Sequence, residues 1–273
     1  MIHALNGLLL VGGKSSRMGS NKAQLTYRDG LPEWQRLHAI LEELCDEVYL
    51  SHPAGIDYGV PAINDPGQGP LAAIHSAFEH DANADWLVIA CDLPLLERTN
   101  LEQLLKGSDA TYDASAFSSR VDGKHEPLCT LYRQSAGPAI ATAIDQGDAC
   151  PRHILHHKIK TQSMQPDQPH ALDNANSPAD ALEVRAHLSG ARVEKSIQVR
   201  YFAQLKEIAN KDAEEWKTSS VTPSGIYEEL KAKYQFPHKQ KQLMVAINDD
   251  FADWATPVKE GDELVFIPPV AGG

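Results

Sequence analysis

The stretch "LVGGKSSRMGSNK", Leu10 to Lys22, decides how the chain folds. It follows the apolar run Leu5 to Val11 and gathers Gly12, Gly13 and Gly19 with the cations Lys14, Arg17 and Lys22 in one loop. Glycines let backbone N–H groups turn towards a ligand, and three cations this close repel one another unless an anion sits among them. A strand that ends in such a loop reads as the opening of a βαβ unit, with a triphosphate as the natural occupant. The spacing is neither GxxxxGK[ST] nor GxGxxG, so the P-loop and dinucleotide readings both fail.

Outward from this loop, short apolar runs alternate with amphipathic stretches to about Leu188, which predicts a mostly parallel α/β sheet. The expected strands are Leu5 to Val11, Val48 to Leu50, Val60 to Ile63, Trp86 to Ala90 and Leu128 to Tyr132. The expected helices are Pro32 to Cys45, Pro70 to Glu79, Leu101 to Lys106 and Ser135 to Asp145, and a further one runs from Ser177-Pro178 to a stop at Gly190. Thr99 with Glu102 reads as a capping box and Gly107 as a C-terminal stop. Around "SGARVEKS", Ser189 to Ser196, the periodicity lapses into a linker, so the domains are expected at 1–190 and 196–273. The second segment reads as β-α-β with a further helix from Pro223 to Tyr234 and strands at "LMVAIN" and "DELVFIPPV", a compact α+β domain.

The loop resembles the GGxSxRMGxxK signature of nucleotidyltransferases, above all that of molybdenum cofactor guanylyltransferases. Four more stretches resemble that family in order: "NDPGQGPLAAI" from Asn64, "ACDLPLL" around Asp92, "HEPLCTLY" from His125 and "NANSPADAL" from Asn174. The resemblance implies a Rossmann-like domain that uses GTP and Mg²⁺. It implies nucleotide contacts from Leu10, Val11, Gly12, Gly13, Lys14, Lys22, Asp65, Gly69, Pro70, Asn174 and Asn176. Lys22, Arg17 and Asp92 would act in catalysis, with Asp92 as the metal ligand and molybdopterin or Mo-molybdopterin as the acceptor. The position of Asp92 agrees, since ligands gather at the carboxyl ends of strands in open α/β sheets. Asp65 is either a nucleotide contact or an Asx-turn before Pro66. Val11 and Asn21 stand where the family has alanine and aspartate. The valine is expected to crowd the base or ribose, which leaves cytidylyl or sugar-nucleotidyl transfer open beside an inactive scaffold.

Residues 197–273 resemble the small subunit of molybdopterin synthase, a ubiquitin-like β-grasp sulfur carrier, through "VRYFAQLKEIA", "VAIN" and "GDELVFIPPVAGG". The resemblance implies activation of the Gly273 carboxylate by an ATP-dependent adenylating enzyme. It also implies thiocarboxylate delivery to the molybdopterin synthase large subunit. Phe266 and Ile267 are core or partner contacts, whereas Trp216 and Trp254 read as packing.

The formal charge of −12 over 273 residues argues against a nucleic-acid or anionic-membrane partner. Four scattered cysteines without CxxC spacing suggest neither a disulfide framework nor a zinc site, and a reducing, cytoplasmic setting fits them. "RHILHH" puts His153 and His157 at i, i+4, a spacing able to hold a metal on a helix, but it reads here as a solvated or phosphate-facing helix.

Overall fold

A computed structural model describes residues 3–11, 22–28, 30–53, 55–120 and 123–269 of the protein. By contacts the chain divides into two units, Met1–Asn174 and Ala175–Gly273.

The first unit runs β1 (Leu5–Leu10), α1 (Glu33–Glu42), β2 (Glu47–His52), β3 (Ala62–Asn64), α2 (Pro70–His80), β4 (Asp85–Ala90), α3 (Arg98–Gly107), β5 (Ala114–Ser118), β6 (His125–Tyr132), α4 (Gly137–Asp145), α5 (Pro151–His157) and β7 (Thr161–Met164). The central strands β1 and β4 are apolar along almost their whole length because both of their faces are covered, as parallel sheets require. Their side chains alternate between two cores. Leu8, Leu10, Trp86 and Val88 meet α2, α4 and α5 on one face. Leu9, Val11, Leu87 and Ile89 meet α1 and α3 on the other. The helices answer with apolar positions at helical spacing, Trp34, Leu37 and Leu41 on α1 and Leu71, Ile74 and Phe78 on α2.

The sheet order is β3-β2-β1-β4-β6-β5-β7. Only β6 opposes the other six strands, since β4–β6 and β5–β6 pair antiparallel while the remaining pairs are parallel. The mostly parallel sheet expected from the alternation is therefore present, with two strands the sequence had not disclosed, β5 and β7, while α5 falls where "RHILHH" reads as a helix. One local reading is corrected. Helix α3 starts at Arg98 rather than at a Thr99 cap, and the backbone N–H of Glu97 donates to Asn100 Oδ1 at 2.9 Å. Glu102 instead takes Arg98 and Lys106 at 2.8 and 2.9 Å.

The second unit runs α6 (Pro178–Leu188), β8 (Lys195–Tyr201), α7 (Ala203–Ala209), β9 (Ala213–Thr218), α8 (Pro223–Tyr234), β10 (Met244–Ile247), β11 (Asp250–Ala252) and β12 (Glu263–Ile267). Its sheet has the order β11-β10-β12-β8-β9, with β12 parallel to β8 at the centre and the other pairs antiparallel. Ile226, Tyr227 and Leu230 of α8 close the core over it, and Phe266 is fully buried against Trp254, its stacked neighbour at 5.6 Å. Phe266 is thus core, and Ile267 is half-buried.

Helix α6 groups with the second unit, whereas the sequence reading placed it in the first, ending at residue 190. The physical reason is Glu183. Its carboxylate accepts the backbone N–H groups of Val221 and Thr222 at 2.7 Å, the Thr222 hydroxyl at 2.8 Å and Arg192 at 3.1 Å. An acid at the amino end of α8 is favoured by the exposed N–H groups there. Gly225 makes room, because a Cβ would meet that carboxylate at 2.7 Å. Glu183→Ala is expected to cost the second unit about 2–4 kcal/mol, since it strands several buried donors and Arg192 at once. Urea denaturation of the full chain, followed through Trp216 and Trp254, checks this; a loss below about 0.5 kcal/mol would detach α6 from the unit's stability.

Candidate active site

The chain leaves β1 for β2 and β3 on one side and returns to β4 on the other, so β1 and β4 are neighbours with diverging connections. That divergence opens a crevice at their carboxyl ends, where α/β sheets bind ligands. The register Leu10↔Ala90 brings the two ends level. Cys91 donates its N–H to Leu10 O at 3.1 Å, and Val11 donates its own to Ser51 O at 3.0 Å. Asp92 follows directly, half-buried in the turn after β4, beside the point where β1 passes into the glycine-rich loop. Of the expected site residues, Leu10, Val11 and Asp92 are brought together here. Gly12, Gly13, Lys14, Arg17 and Asn21 lie outside the described residues, as do the side chain of Lys22 and the terminal Gly273.

Val11 is corrected in role. Its side chain is 5% exposed and packs among Ala23, Trp34 and Leu37, so its bulk goes into the core and not into the path of a base.

The carboxyl end of β3 lies at the same edge, two strands from β1 and hence roughly 10 Å away. Asp65 there makes the Asx-turn: its Oδ1 accepts the Gly67 N–H at 2.8 Å. The turn continues through Gly67 at φ +75° and Gly69 at φ +97°, left-handed positions that suit only glycine, into Pro70 at the first position of α2. No side chain caps α2. Asn174 is exposed and follows Asp173, which Arg120 at the carboxyl end of β5 holds bidentately at 2.8 and 2.9 Å. Burial pushes the Asp173 carboxyl up, but His170 and Arg120 outweigh it and hold the group below its ordinary value. Asn176 opens the second unit, where its backbone N–H donates to Asp180 at the start of α6.

The loop after Asp92 is fixed by two arginines that the sequence reading missed. Arg36 donates Nη1 to Leu96 O at 2.9 Å and its remaining guanidinium N–H groups to Glu33; this pair is buried at 8% and 1% exposure. Burial pushes the Glu33 carboxyl up even though Arg36 opposes it. Arg28 donates to Pro94 O and to Glu97. Both arginines stand just after the glycine-rich loop in sequence, so they tie its exit to the turn that carries Asp92. A buried guanidinium spending one arm on a loop carbonyl is the signal, but its partner lies 60 residues away.

At the far side of the edge, antiparallel β6 begins. The register Ile89↔Cys129, continued by three residues, sets Asp92 level with Glu126. The His125 ring stacks on His156 of α5 at 4.5 Å and 17°. Burial, then the neighbouring imidazole, holds His125 below the ordinary histidine value. His153 and His157 also approach, at 4.8 Å, and Asp148 accepts from His153 Nδ1 at 2.5 Å.

Among the described residues no group of three His, Cys, Asp or Glu side chains is arranged to hold a metal ion. A single carboxylate at a strand end suits Mg²⁺, which takes one or two protein ligands and fills its octahedron with phosphate oxygens and water. Among the described residues no helix is long and apolar enough to cross a membrane.

Similarity to known proteins agrees with this geometry. The MobA-like NTP transferase domain family matches residues 7–163 and the ThiS family residues 199–273. The molybdenum cofactor biosynthesis bifunctional protein of Synechocystis sp. is 34% identical over 183 residues, which are 64% of this chain and 52% of that protein. The match therefore spans about half that relative's length. The molybdenum cofactor guanylyltransferase of Pseudomonas aeruginosa is 33% identical over 155 residues, 54% of this chain and 78% of its own. The structure of molybdopterin-guanine dinucleotide biosynthesis protein A from Archaeoglobus fulgidus shares the fold at a TM-score of 0.56 and 22% identity, covering 68% of this chain and 99% of that one. These matches, with Asp92 in the turn that follows β4 beside the end of β1, place the chain in the MobA-like NTP transferase family, with a ThiS-family domain behind the transferase domain.

Proposed function

We propose that the first unit transfers GMP from GTP to the phosphate of molybdopterin or of its molybdenum-loaded form, and that the second unit carries sulfur for molybdopterin synthesis as a thiocarboxylate on Gly273. The observation that supports the first half is the register Leu10↔Ala90, which sets the turn carrying Asp92 beside the end of β1.

In this reading the amides of Gly12 and Gly13 and the cations Lys14, Arg17 and Lys22 hold the triphosphate. The turn Asp65–Gly69, with Pro70 and Asn174, borders the nucleoside. An oxygen of the acceptor phosphate attacks the α-phosphorus; the bond from that phosphorus to the bridging oxygen breaks, and pyrophosphate leaves with the electron pair. Asp92 would hold Mg²⁺, which would offset charge on the phosphate oxygens. Lys22 and Arg17 balance the charge that moves to the leaving group, so catalysis is positioning and electrostatics without a covalent nucleophile. Arg28 and Arg36 keep the Asp92 turn in register.

In the second unit, β12 ends at Ile267, six residues before Gly273. An ATP-dependent adenylating enzyme would convert the Gly273 carboxylate to an acyl-adenylate. Sulfur then displaces AMP, and two glycines without Cβ atoms fit a narrow pocket of the molybdopterin synthase large subunit. No disulfide joins the four cysteines, which suits a reducing compartment such as the cytoplasm.

With Val11 turned into the core, one of the two residues that left another base open no longer does so, and Asn21, the other, lies outside the described residues. Titration calorimetry with Mg²⁺ is expected to show GTP binding at least about tenfold tighter than CTP, as one or two base-edge hydrogen bonds supply. Equal affinities or a preference for CTP would refute the guanylyl reading.

A further inference from the structure

The acceptor in the reaction proposed above is itself a phosphate dianion, entering a chain whose formal charge is −12. Two anions must approach within bonding distance, so the acceptor side needs its own donors, distinct from those that hold the triphosphate. The crevice between β1 and β4 and the turn after β3 are taken by the nucleotide. Past β4 the carboxyl edge continues first to β6, whose first residue is His125, and then to β5 and β7.

The neighbourhood of His125 departs from the rest of the chain. Residues 149–166 contain no Asp or Glu, but they hold Arg152, Lys158, Lys160 and three histidines. Within them α5 packs on the β6 side through buried Ile154 and Leu155, which sets the His156 ring flat against that of His125. The entry to α5 also reaches the nucleotide turn, since a Cβ on Gly69 would lie 4.0 Å from the Ala149 carbonyl. The entry to the histidine-bearing helix therefore lies beside the turn that borders the nucleoside in this reading. His125 Nδ1 is buried with no hydrogen-bond partner among the described residues. A buried ring nitrogen left unpaired loses its hydration without replacement, a cost that a bound acceptor group would remove. Glu126, the nearest acid, is engaged by Arg152 at 3.3 Å.

We propose that the stacked imidazoles of His125 and His156, with Arg152 beside them, form the seat for the phosphate monoester of the acceptor. This rests on the guanylyl-transfer reading. His153 is committed to Asp148 and lies outside the seat, which makes it the control.

The test uses the full-length chain and compares wild type with His125→Gln, His156→Gln and, as control, His153→Gln. Initial rates are measured with GTP and molybdopterin varied in turn. KM for molybdopterin is expected to rise about tenfold or more in His125→Gln and His156→Gln, while KM for GTP stays within about twofold and His153→Gln matches wild type. A second readout does not depend on turnover: in imidazole NMR spectra of wild type, inorganic phosphate added with GDP and Mg²⁺ is expected to shift the His125 and His156 resonances and leave His153 in place. Unchanged KM for molybdopterin in both variants, an equal rise in both KM values, or the same rise in His153→Gln overturns the seat. If wild type transfers no GMP, the functional reading has failed, and the NMR titration alone decides whether the pair binds phosphate; still resonances there overturn it too.

Discussion

Asp92→Asn is expected to lower GMP transfer by about a thousandfold or more while leaving the fold intact. The substitution keeps shape and hydrogen-bonding capacity but removes the charge that would hold Mg²⁺ against the triphosphate. Several kcal/mol of transition-state stabilisation depend on that charge, and about 4 kcal/mol corresponds to a factor of a thousand. Asp92 is half-buried in a turn whose backbone is fixed independently, by Arg28 at Pro94 and Arg36 at Leu96. Its thermal midpoint is accordingly expected within a few degrees of wild type. Pyrophosphate release with GTP and molybdopterin gives the rate, and a thermal scan gives the control. Undiminished transfer would mean that the turnover comes from elsewhere and that the β1–β4 crevice in this chain is a scaffold.

Removing Gly273 is expected to abolish thiocarboxylate formation completely while GMP transfer continues at the wild-type rate. The shortened tail ends in the Gly272 carboxylate, which stops roughly 3.5 Å short, more than an acyl-transfer geometry tolerates. Intact-protein mass spectrometry after incubation with the adenylating enzyme, ATP and a sulfur donor reads the outcome as replacement of one oxygen by sulfur. Persistence of the modified species in the shortened chain would refute the carrier assignment. Loss of GMP transfer as well would show that the two activities are not separable.

The sequence disclosed those parts of the molecule whose determinants are local. The apolar runs of β1 and β4 announce strands covered on both faces, and Ser177-Pro178 starts α6 where expected, with Ser177 Oγ accepting the Asp180 N–H at 3.2 Å. Helices α7 and α8 have the predicted ends because Asn210 and Gln235 stop them in left-handed conformations. What stayed hidden depends on tertiary partners. β5, "ASAFS", is built of small residues that resemble a loop and becomes a strand only because its neighbours on both sides supply a ladder. β7, "TQSM", is a polar edge strand.

The same division holds at the candidate site. Asp92 and the glycine-rich loop are legible because chemistry and position coincide within a dozen residues. The Arg36–Leu96 tie and the His125–His156 stack join segments 60 and 31 residues apart, beyond the reach of any spacing rule. Val11 misled for a related reason: beside a glycine loop a valine looks like part of the ligand wall, yet strand alternation sends it to the α1 side with Leu9. The domain boundary moved because nothing within "PADALEVRAHL" tells that Glu183 will find its partners at Val221 and Thr222.

The most direct test is incubation of the purified chain with GTP, Mg²⁺ and molybdopterin, followed by mass spectrometric identification of the products. The account predicts molybdopterin guanine dinucleotide and pyrophosphate in equal amounts, formed by wild type and not by Asp92→Asn. GTP recovered unchanged, or a dinucleotide formed equally well from CTP, would contradict it.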